Sequence, residues 1–333
     1  MSALESSQVA GSLEAIRAEL QREKLSASTL NFVVWIDDPA RRDWILERAG
    51  MISRKHPSFT LILDHTGACA GTATVVTGPR GQQPTFTVQA ERVDIDVCAA
   101  DAETVAGYVS GLCPPGVPTV LWWSGFQESS RETFYALLPL IALLLVDSSG
   151  GTRDDSGLHR LAAFHAEHPE VALRDLAWMR LRPWQDMIAR FFDEPALFGE
   201  LFSIRTLHIA SGSDSEALYL GGWLASRLQW TPVARGTFTD RSGKPVRFER
   251  ARVGEMRRVQ TVCLDSETSW YHGEVTEDEN VVRVWVEGEH ARAPALFPLQ
   301  AIDNASLVER AVLEPPTDEL FETALRSAAT LLG

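Results

Sequence analysis

The stretch Leu173–Pro195 combines arginine and tryptophan densely enough to suggest a binding surface. Its tryptophans and arginines are Trp178, Trp184, Arg174, Arg180, Arg182 and Arg190. Arginine beside tryptophan suits cation–π stacking and the recognition of carboxylate or phosphate groups. The alternative is a pair of helices that pack into the core and leave their arginines in water, and the sequence leaves both open.

A second candidate site is Asp147 and Ser148, which follow the apolar run Leu137–Val146. If this run ends in a parallel strand, the two residues lie at its carboxyl end, where ligands of open α/β sheets bind. The competing interpretation is an ordinary strand-to-helix loop in which Asp147 and Ser148 cap the elements that follow.

Tryptophan is concentrated in the middle of the chain, because six of the ten tryptophans lie between positions 122 and 230. Four of them, Trp122, Trp123, Trp223 and Trp230, lie outside Leu173–Pro195 in two further apolar segments. Aromatic residues with arginine are typical of the centres of protein interfaces, although large cores also use tryptophan.

The histidines predict no metal site. His165 and His168 share a helix face at i, i+3 spacing, with His159 nearby, but no acidic or thiol ligand is arranged with them. The pattern therefore favours a solvated helix end.

The common enzyme signatures are missing from the sequence. No G-x-G-x-x-G follows the first predicted strand, and Gly243-Lys244 is followed by proline rather than Ser or Thr. Neither Ser124 nor Ser213 lies in a G-x-S-x-G motif. We therefore expect no catalytic residues, no cofactor and no metal.

Charge and cysteine usage restrict the partners and the compartment. The formal net charge is −14, which disfavours nucleic acid and anionic membrane surfaces as partners. Cys69, Cys98, Cys113 and Cys263 are widely spaced, as expected for free thiols in a reducing compartment. The N-terminus has no apolar signal core and Leu137–Val146 is too short to span a bilayer, so we expect a cytoplasmic protein.

The first half of the chain predicts an α/β domain with a mostly parallel sheet. The segments Thr29–Ile36, Ser58–Leu63 and Pro118–Trp123 are apolar or β-branched runs typical of buried strands. Asp38-Pro39 begins a helix between the first two, with Asp38 as N-cap, and a strand–helix–strand unit of this length implies parallel pairing.

The second half predicts an α+β domain with an antiparallel meander. The predicted elements are a helix pair over 173–195 broken at Pro183, a strand over 202–210, a helix capped by Ser213 or Ser215, strands over 246–299 and a terminal helix over 317–332. Leu320, Ala324 and Ala328 would share the buried face of that last helix. We therefore predict an arm or helix over 1–28, an α/β domain over 29–170 and an α+β domain over 171–333.

Four segments together match a known family: LWW at Leu121–Trp123, VDS at Val146–Ser148, DLAWMRLRPW at Asp175–Trp184 and GWLASRL at Gly222–Leu228. They resemble the OpcA family, the glucose-6-phosphate dehydrogenase assembly proteins. The resemblance extends from about Thr29 to the C-terminal helix. Its most specific part is the combination of the DLAWMRLRPW and GWLASRL segments.

The resemblance implies a protein that catalyses nothing itself but binds glucose-6-phosphate dehydrogenase, stabilises its active oligomer and so supports NADPH production in the oxidative pentose phosphate pathway. The matching positions are Trp122, Trp123, Asp147, Ser148, Asp175, Trp178, Arg180, Arg182, Pro183, Trp184, Trp223 and Arg227. We expect them to be partner-binding or motif residues. Allosteric activation would follow if the chain binds the active form more tightly. A competing hypothesis is an enzyme or sensor that binds a sugar phosphate at the Asp147-Ser148 loop.

Overall fold

The structure is a computed structural model of the 333-residue chain. It describes residues 5–10, 12–22, 29–55, 58–67, 72–77, 81–83, 86–88, 91–124, 130–150, 156–195, 197–254, 258–278, 280–299, 304–314 and 318–331. The chain divides into two compact units. Unit 1 comprises Met1–Asp147, Pro169–Arg174 and Asn304–Pro316, and unit 2 comprises Ser148–His168, Asp175–Asp303 and Thr317–Gly333.

The elements up to residue 175 alternate strands with helices. In chain order they are β1 (Glu5–Ala10), α1 (Leu13–Arg22), β2 (Leu30–Ile36), α2 (Arg42–Lys55), β3 (Ser58–Asp64), β4 (Thr72–Thr77), β5 (Gly81–Gln83), β6 (Phe86–Val88), β7 (Glu91–Asp96), α3 (Ala102–Leu112), β8 (Thr119–Trp123), α4 (Arg131–Leu137), β9 (Leu143–Val146), α5 (Ser156–Glu167) and β10 (Ala172–Asp175). Short 3₁₀ turns cover Pro39–Arg41, Leu138–Leu140 and Ser148–Gly150.

The main sheet of unit 1 is mostly parallel, as the sequence predicted. Its strand order is β1-β4-β7-β3-β2-β8-β9-β10. The pairs β7–β3, β3–β2, β2–β8 and β8–β9 are parallel, whereas β1–β4 and β4–β7 are antiparallel. Every residue of β2, β3, β8 and β9 is buried. Continuous apolar runs are typical of parallel strands that are covered on both faces.

The elements after residue 175 complete unit 2 and add one helix to unit 1. They are α6 (Leu176–Met179), α7 (Arg182–Phe191), β11 (Thr206–Ser211), α8 (Asp214–Leu228), β12 (Thr231–Ala234), β13 (Thr237–Thr239), β14 (Pro245–Arg252), β15 (Val259–Asp265), β16 (Ser269–Val275), β17 (Val281–Gly288), β18 (Arg292–Pro298), α9 (Asn304–Leu313) and α10 (Glu319–Thr330). A further 3₁₀ turn covers Glu200–Ser203.

The sheet of unit 2 is a meander interrupted by one inserted strand. Its order is β12-β13-β14-β11-β15-β16-β17-β18, and β15 to β18 form the predicted antiparallel meander. Strand β11 lies between β14 and β15 and pairs with β14 in parallel. Parallel pairing needs a crossover connection, and α8 lies in the chain between β11 and β14.

The predicted helix pair over 173–195 begins later than expected. Ala172–Asp175 is a strand at the edge of the unit 1 sheet, and the helices are the short α6 and the longer α7. Pairing with a neighbouring strand overrode the helical period of the apolar residues, because periodicity does not include long-range hydrogen bonds. Pro183 lies in the first turn of α7, as predicted.

The terminal helix α10 buries a different stripe from the one predicted. Ala324 and Ala328 are buried as expected, but Leu320 is 46% exposed and Phe321 and Leu325 are buried instead. Leu320 lies in the first turn, just after the Asp318 N-cap, on the helix face directed to water. The predicted caps Asp38 and Ser213 accept a backbone N–H with their side chains, and so does Asp101 at the start of α3. Among the described residues, no helix is long and apolar enough to span a membrane.

Helices α8 and α10 pack in close contact at Gly222. A Cβ placed there would lie 2.6 Å from both the Ala324 carbonyl oxygen and the Ala328 nitrogen, which are backbone atoms of α10. Backbone cannot rotate away as a flexible side chain can. Glycine at this position therefore sets the distance between the two helices.

We predict that Gly222→Ala lowers the free energy of unfolding by about 1–3 kcal/mol, because overpacking forces the helices apart. Urea denaturation followed by circular dichroism measures this loss. The matched control is Gly157→Ala in the first turn of α5, where an added Cβ meets no atom within 4 Å. Equal stabilities for the two variants would contradict the predicted close contact.

Candidate functional site

The tryptophans of the LWW segment are core residues of unit 1. Trp122 and Trp123 lie in β8 and are both buried. The Trp123 ring stacks on Trp35 of β2, with centroids 4.9 Å apart, while Trp122 meets Phe32 and Trp44. These contacts pack neighbouring strands and helix α2 together. Their predicted partner contact stays a prediction, and their observed role is core packing.

The tryptophans of the DLAWMRLRPW segment are also buried. Trp178 is 6% exposed, and its Nε1 donates to the Asp318 carboxylate at 3.1 Å. Its ring packs against Tyr219 and Phe321. Trp184 is 3% exposed, so the largest apolar side chains of the motif hold unit 2 together.

Asp175 is the centre of a buried polar cluster in unit 2. Its Oδ1 accepts the backbone N–H of Ala177 at 2.9 Å, as the N-cap of α6, and the backbone N–H of Ser148 at 3.0 Å. Its Oδ2 accepts the Tyr219 hydroxyl at 2.8 Å. The carboxylate thus joins α6, α8 and the Ser148–Gly150 turn.

The Tyr219 hydroxyl is held in its protonated, donating form. Burial and the charge of Asp175 raise the pKa of Tyr219 well above its ordinary value. A buried carboxylate is costly unless donors satisfy it, and Tyr219 supplies one of those donors.

Arg180 forms an ion pair inside unit 2. Its Nε donates to Glu216 Oε1 at 2.7 Å, and the Arg180 and Glu216 side chains are 17% and 2% exposed. Its Nη2 donates to Ser149 Oγ at 2.6 Å. Glu216 Oε2 also accepts the backbone N–H of Val259 at 3.2 Å, so the pair connects α6, α8, β15 and the Ser148–Gly150 turn.

Three residues of unit 2 hydrogen-bond to the Ser148–Gly150 turn. Asp175 accepts the N–H of Ser148, Ser215 donates to the Ser148 carbonyl oxygen at 3.0 Å, and Arg180 donates to Ser149. Asp175, Arg180 and Ser148 were all predicted as site residues, and the structure brings them together. Asp175 and Arg180 also hydrogen-bond to Tyr219 and Glu216 of α8.

Other motif positions remain accessible. Arg182 and Arg227 are exposed, and Pro183 and Trp223 are half-buried. These residues can contact a partner without unfolding, and their predicted partner contact stays a prediction.

Asp147 belongs to a different group of charges, at the carboxyl ends of the parallel strands of unit 1. Its carboxylate lies 3.8 Å from Arg41 Nη2, and Arg41 also donates to the Ser124 carbonyl oxygen at 3.2 Å. Arg42 pairs with Asp64, which ends β3, at 2.6 Å. The strand ends are therefore connected through internal ion pairs.

Asp37, directly after β2, adds a buried carboxyl to the same edge. Ser130 Oγ lies 3.4 Å from its Oδ2, and burial raises the pKa of Asp37 above its ordinary value. In a dinucleotide-binding protein, the glycine-rich loop after the first parallel strand receives the pyrophosphate. Here that position carries Asp37, Asp38 and Pro39, which suit neither phosphate nor close backbone approach.

In the part of the chain that the structure describes, we looked for groups of metal ligands and for reactive thiols. His, Cys, Asp and Glu side chains form no group of three able to hold a metal ion there. Cys98, Cys113 and Cys263 are free thiols, and burial raises the pKa of Cys113 to about 12 and of Cys263 to about 11. Such thiols are poor nucleophiles. Cys69 lies outside the described residues.

Sequence reasoning missed Tyr219 and Glu216, the two α8 residues that complete the polar cluster. Glu216 follows Ser213 at S-x-x-E spacing, which is typical of a capping box. Ser213 Oγ does accept the Glu216 N–H at 3.3 Å, but the Glu216 carboxylate binds Arg180. The i, i+3 relation of Glu216 and Tyr219 on one helix face was the available signal.

We predict that Tyr219→Phe lowers the free energy of unfolding by about 1.5–3 kcal/mol, because it removes a donor from a buried carboxylate. The matched control is Tyr271→Phe in the same unit. The Tyr271 side chain is also fully buried, but its hydroxyl has no hydrogen-bond partner among the described residues.

The control variant should be as stable as the parent chain or more so, since it loses an unsatisfied polar atom. Urea denaturation of both variants measures the difference. A Tyr219→Phe variant as stable as the Tyr271→Phe variant would contradict the role of the Asp175 cluster.

Two family models match the chain. The "Glucose-6-phosphate dehydrogenase subunit N-terminal domain" of OpcA matches residues 49–163, and the corresponding "C-terminal domain" matches residues 171–325. The C-terminal match contains both the DLAWMRLRPW and the GWLASRL segments.

The chain is similar to two curated proteins, each called "Putative OxPP cycle protein OpcA". The one from Synechocystis sp. is 37% identical over 135 residues, which cover 40% of this chain and 28% of that protein. The one from Nostoc punctiforme is 33% identical over 146 residues, covering 43% and 31%. The matched regions thus span about a third or less of these relatives.

Solved structures with a similar backbone are distant. They include the 3-ketoreductase KijD10 from Actinomadura kijaniata, at 14% identity and a TM-score of 0.49 over 91% of this chain and 95% of that one. An oxidoreductase from Sinorhizobium meliloti has 12% identity and a TM-score of 0.47 over 91% and 88%. TM-scores below 0.5 support no conclusion. The two family matches, which together run from residue 49 to residue 325, show that the chain belongs to the OpcA family.

Proposed function

We propose that this chain is a non-catalytic partner of glucose-6-phosphate dehydrogenase that binds the enzyme and stabilises its active oligomer. Membership of a family described as a subunit of that dehydrogenase supports the choice of partner. The relatives named as OxPP cycle proteins support a role in the oxidative pentose phosphate pathway.

The proposal that the chain is non-catalytic is supported mainly by the ion pairs at the carboxyl ends of the parallel strands in unit 1. Ligands of open α/β proteins bind outside the carboxyl ends of the parallel strands. In this chain Arg41 lies against Asp147 there and Arg42 pairs with Asp64. A substrate or cofactor would have to separate these ion pairs and meet the buried Asp37 carboxyl, which disfavours an anion.

The alternative of a sugar-phosphate site at the Asp147-Ser148 loop receives less support. It needs a motif arginine to hold the phosphate, and Arg180 is the motif arginine that reaches this loop. Arg180 already donates to Glu216 and Ser149, so a phosphate would compete with a buried carboxylate for it.

Activation in this proposal is a population shift. The chain binds the active oligomer of the dehydrogenase more tightly than the inactive form, and the difference in affinity limits the effect. A tenfold fall in the apparent KM for substrate requires about 1.4 kcal/mol of such coupling.

We predict that the purified chain lowers the apparent KM of its cognate dehydrogenase for glucose 6-phosphate and forms a larger complex with it. Enzyme kinetics and light scattering on the same mixtures measure both effects. The chain alone, with glucose 6-phosphate and NADP, is the control and should show no turnover.

Three outcomes would contradict parts of the proposal. A larger complex with unchanged kinetics would indicate a scaffold without activation. Turnover by the chain alone would favour an enzyme. No complex and no kinetic change would exclude the dehydrogenase as the partner.

A further inference from the structure

Unit 2 exposes two phenyl rings that contact each other just after α7. Phe198 and Phe202 are 56% and 41% exposed, and their rings meet edge to face with centroids 5.4 Å apart. The Arg241 guanidinium lies 5.6 Å from the Phe202 ring centroid. We call these three residues the Phe198–Phe202 patch.

The segment that carries the two rings is firmly anchored. Leu197 and Ile204, at its two ends, are buried. Between them, Glu200 Oε2 accepts hydrogen bonds from Ser266 Oγ at 2.5 Å and from Thr268 Oγ1 at 3.0 Å. The rings are therefore held on a fixed turn, and ordering them on binding costs little conformational entropy.

The turn that carries Arg241 is equally well ordered. Asp240 Oδ1 accepts the backbone N–H groups of Ser242 and Lys244 at 2.8 and 2.9 Å, and its Oδ2 accepts from Arg205 at 2.7 Å. Although burial opposes the change, hydrogen bonds from Ser242 and Arg205 lower the pKa of Asp240 well below its ordinary value. These hydrogen bonds order the turn on which Arg241 lies.

Asp240 and Lys244 lie in the same turn as Arg241, but Arg241 itself has no carboxylate partner among the described residues. Glu267 pairs with Arg205 at 2.9 Å and with Lys244 at 2.6 Å. Aromatic rings and arginine at the centre with charged residues at the edge are the arrangement of a binding hot spot. A complementary surface would be apolar and would place a carboxylate beside Arg241.

The exposed rings would contribute to the free energy of binding if a partner covered them. Covering the exposed parts of the two rings with an apolar surface removes them from water and so favours binding. A stable interface covers roughly 800 Å² on each partner, so the patch can form its centre but not its whole area.

We propose that the Phe198–Phe202 patch is the centre of the surface that binds glucose-6-phosphate dehydrogenase. This inference rests on the proposed function and adds to it the contact surface and the chemistry of the opposing surface. The dehydrogenase then contributes an apolar contact for the two rings and a carboxylate for Arg241.

The test compares dissociation constants for the full chain and its variants against the cognate dehydrogenase, by interferometry. We expect Phe198→Ser and Phe202→Ser each to weaken binding about tenfold or more, as hot-spot residues do. The matched control is Leu320→Ser on α10, because Leu320 is 46% exposed, like the two rings. It should bind as the parent chain does.

Arg241→Glu tests the carboxylate on the partner without removing any apolar contact surface. Charge reversal should weaken binding at least tenfold, whereas Arg326→Glu on the exposed side of α10 should not. Circular dichroism confirms that each variant is folded.

The outcomes separate this inference from the proposed function. If the parent chain binds the dehydrogenase and all patch variants bind equally well, the patch is not the contact surface, but the partner stands. If the parent chain does not bind at all, the proposed function and this inference both fail. Equal weakening of binding by the patch variants and the control variants would also contradict the patch as the contact surface.

Discussion

The buried ion pair between Arg180 and Glu216 is the interaction on which unit 2 depends. The Glu216 side chain is 2% exposed, so its charge must be neutralised within the fold. Arg180 does this and also binds the Ser148–Gly150 turn, while Asp175 holds the same turn from the other side. Removing one member of a buried pair costs about 3–5 kcal/mol, whereas an exposed pair contributes little. Arg180, one of the motif arginines predicted to bind a partner, therefore has a structural role.

The burial of these side chains also determines which surfaces of unit 2 remain exposed to a partner. Trp178 and Trp184 fill the core around the polar cluster, so most side chains of the motif that identifies the family are buried in this chain. What the motif provides is a rigid unit 2. On that unit, the exposed Phe198 and Phe202 rings are fixed in position, and fixed aromatic side chains bind with a smaller loss of entropy than mobile ones.

Much of the architecture could be predicted from local pattern. The apolar runs of β2, β3 and β8 predicted buried parallel strands, and the caps at Asp38 and Ser213 were identified from residue type. The insertion of β11 between β14 and β15 could not be predicted, because strand order depends on contacts between distant segments. Asp175 and Arg180 were recognised as special, but their partners on α8 were not, since spacing along one chain does not show which buried charges meet.

Hydrogen exchange of the chain, alone and mixed with glucose-6-phosphate dehydrogenase, tests most directly whether the motif is an internal scaffold. Residues 175–184 are held by the buried cluster, so their amides should be protected in the free chain and unchanged in the mixture. New protection should appear over 197–205 and 240–244, which carry the Phe198–Phe202 patch. New protection confined to 175–184, with none over 197–205, would contradict the account and identify the motif as the contact surface.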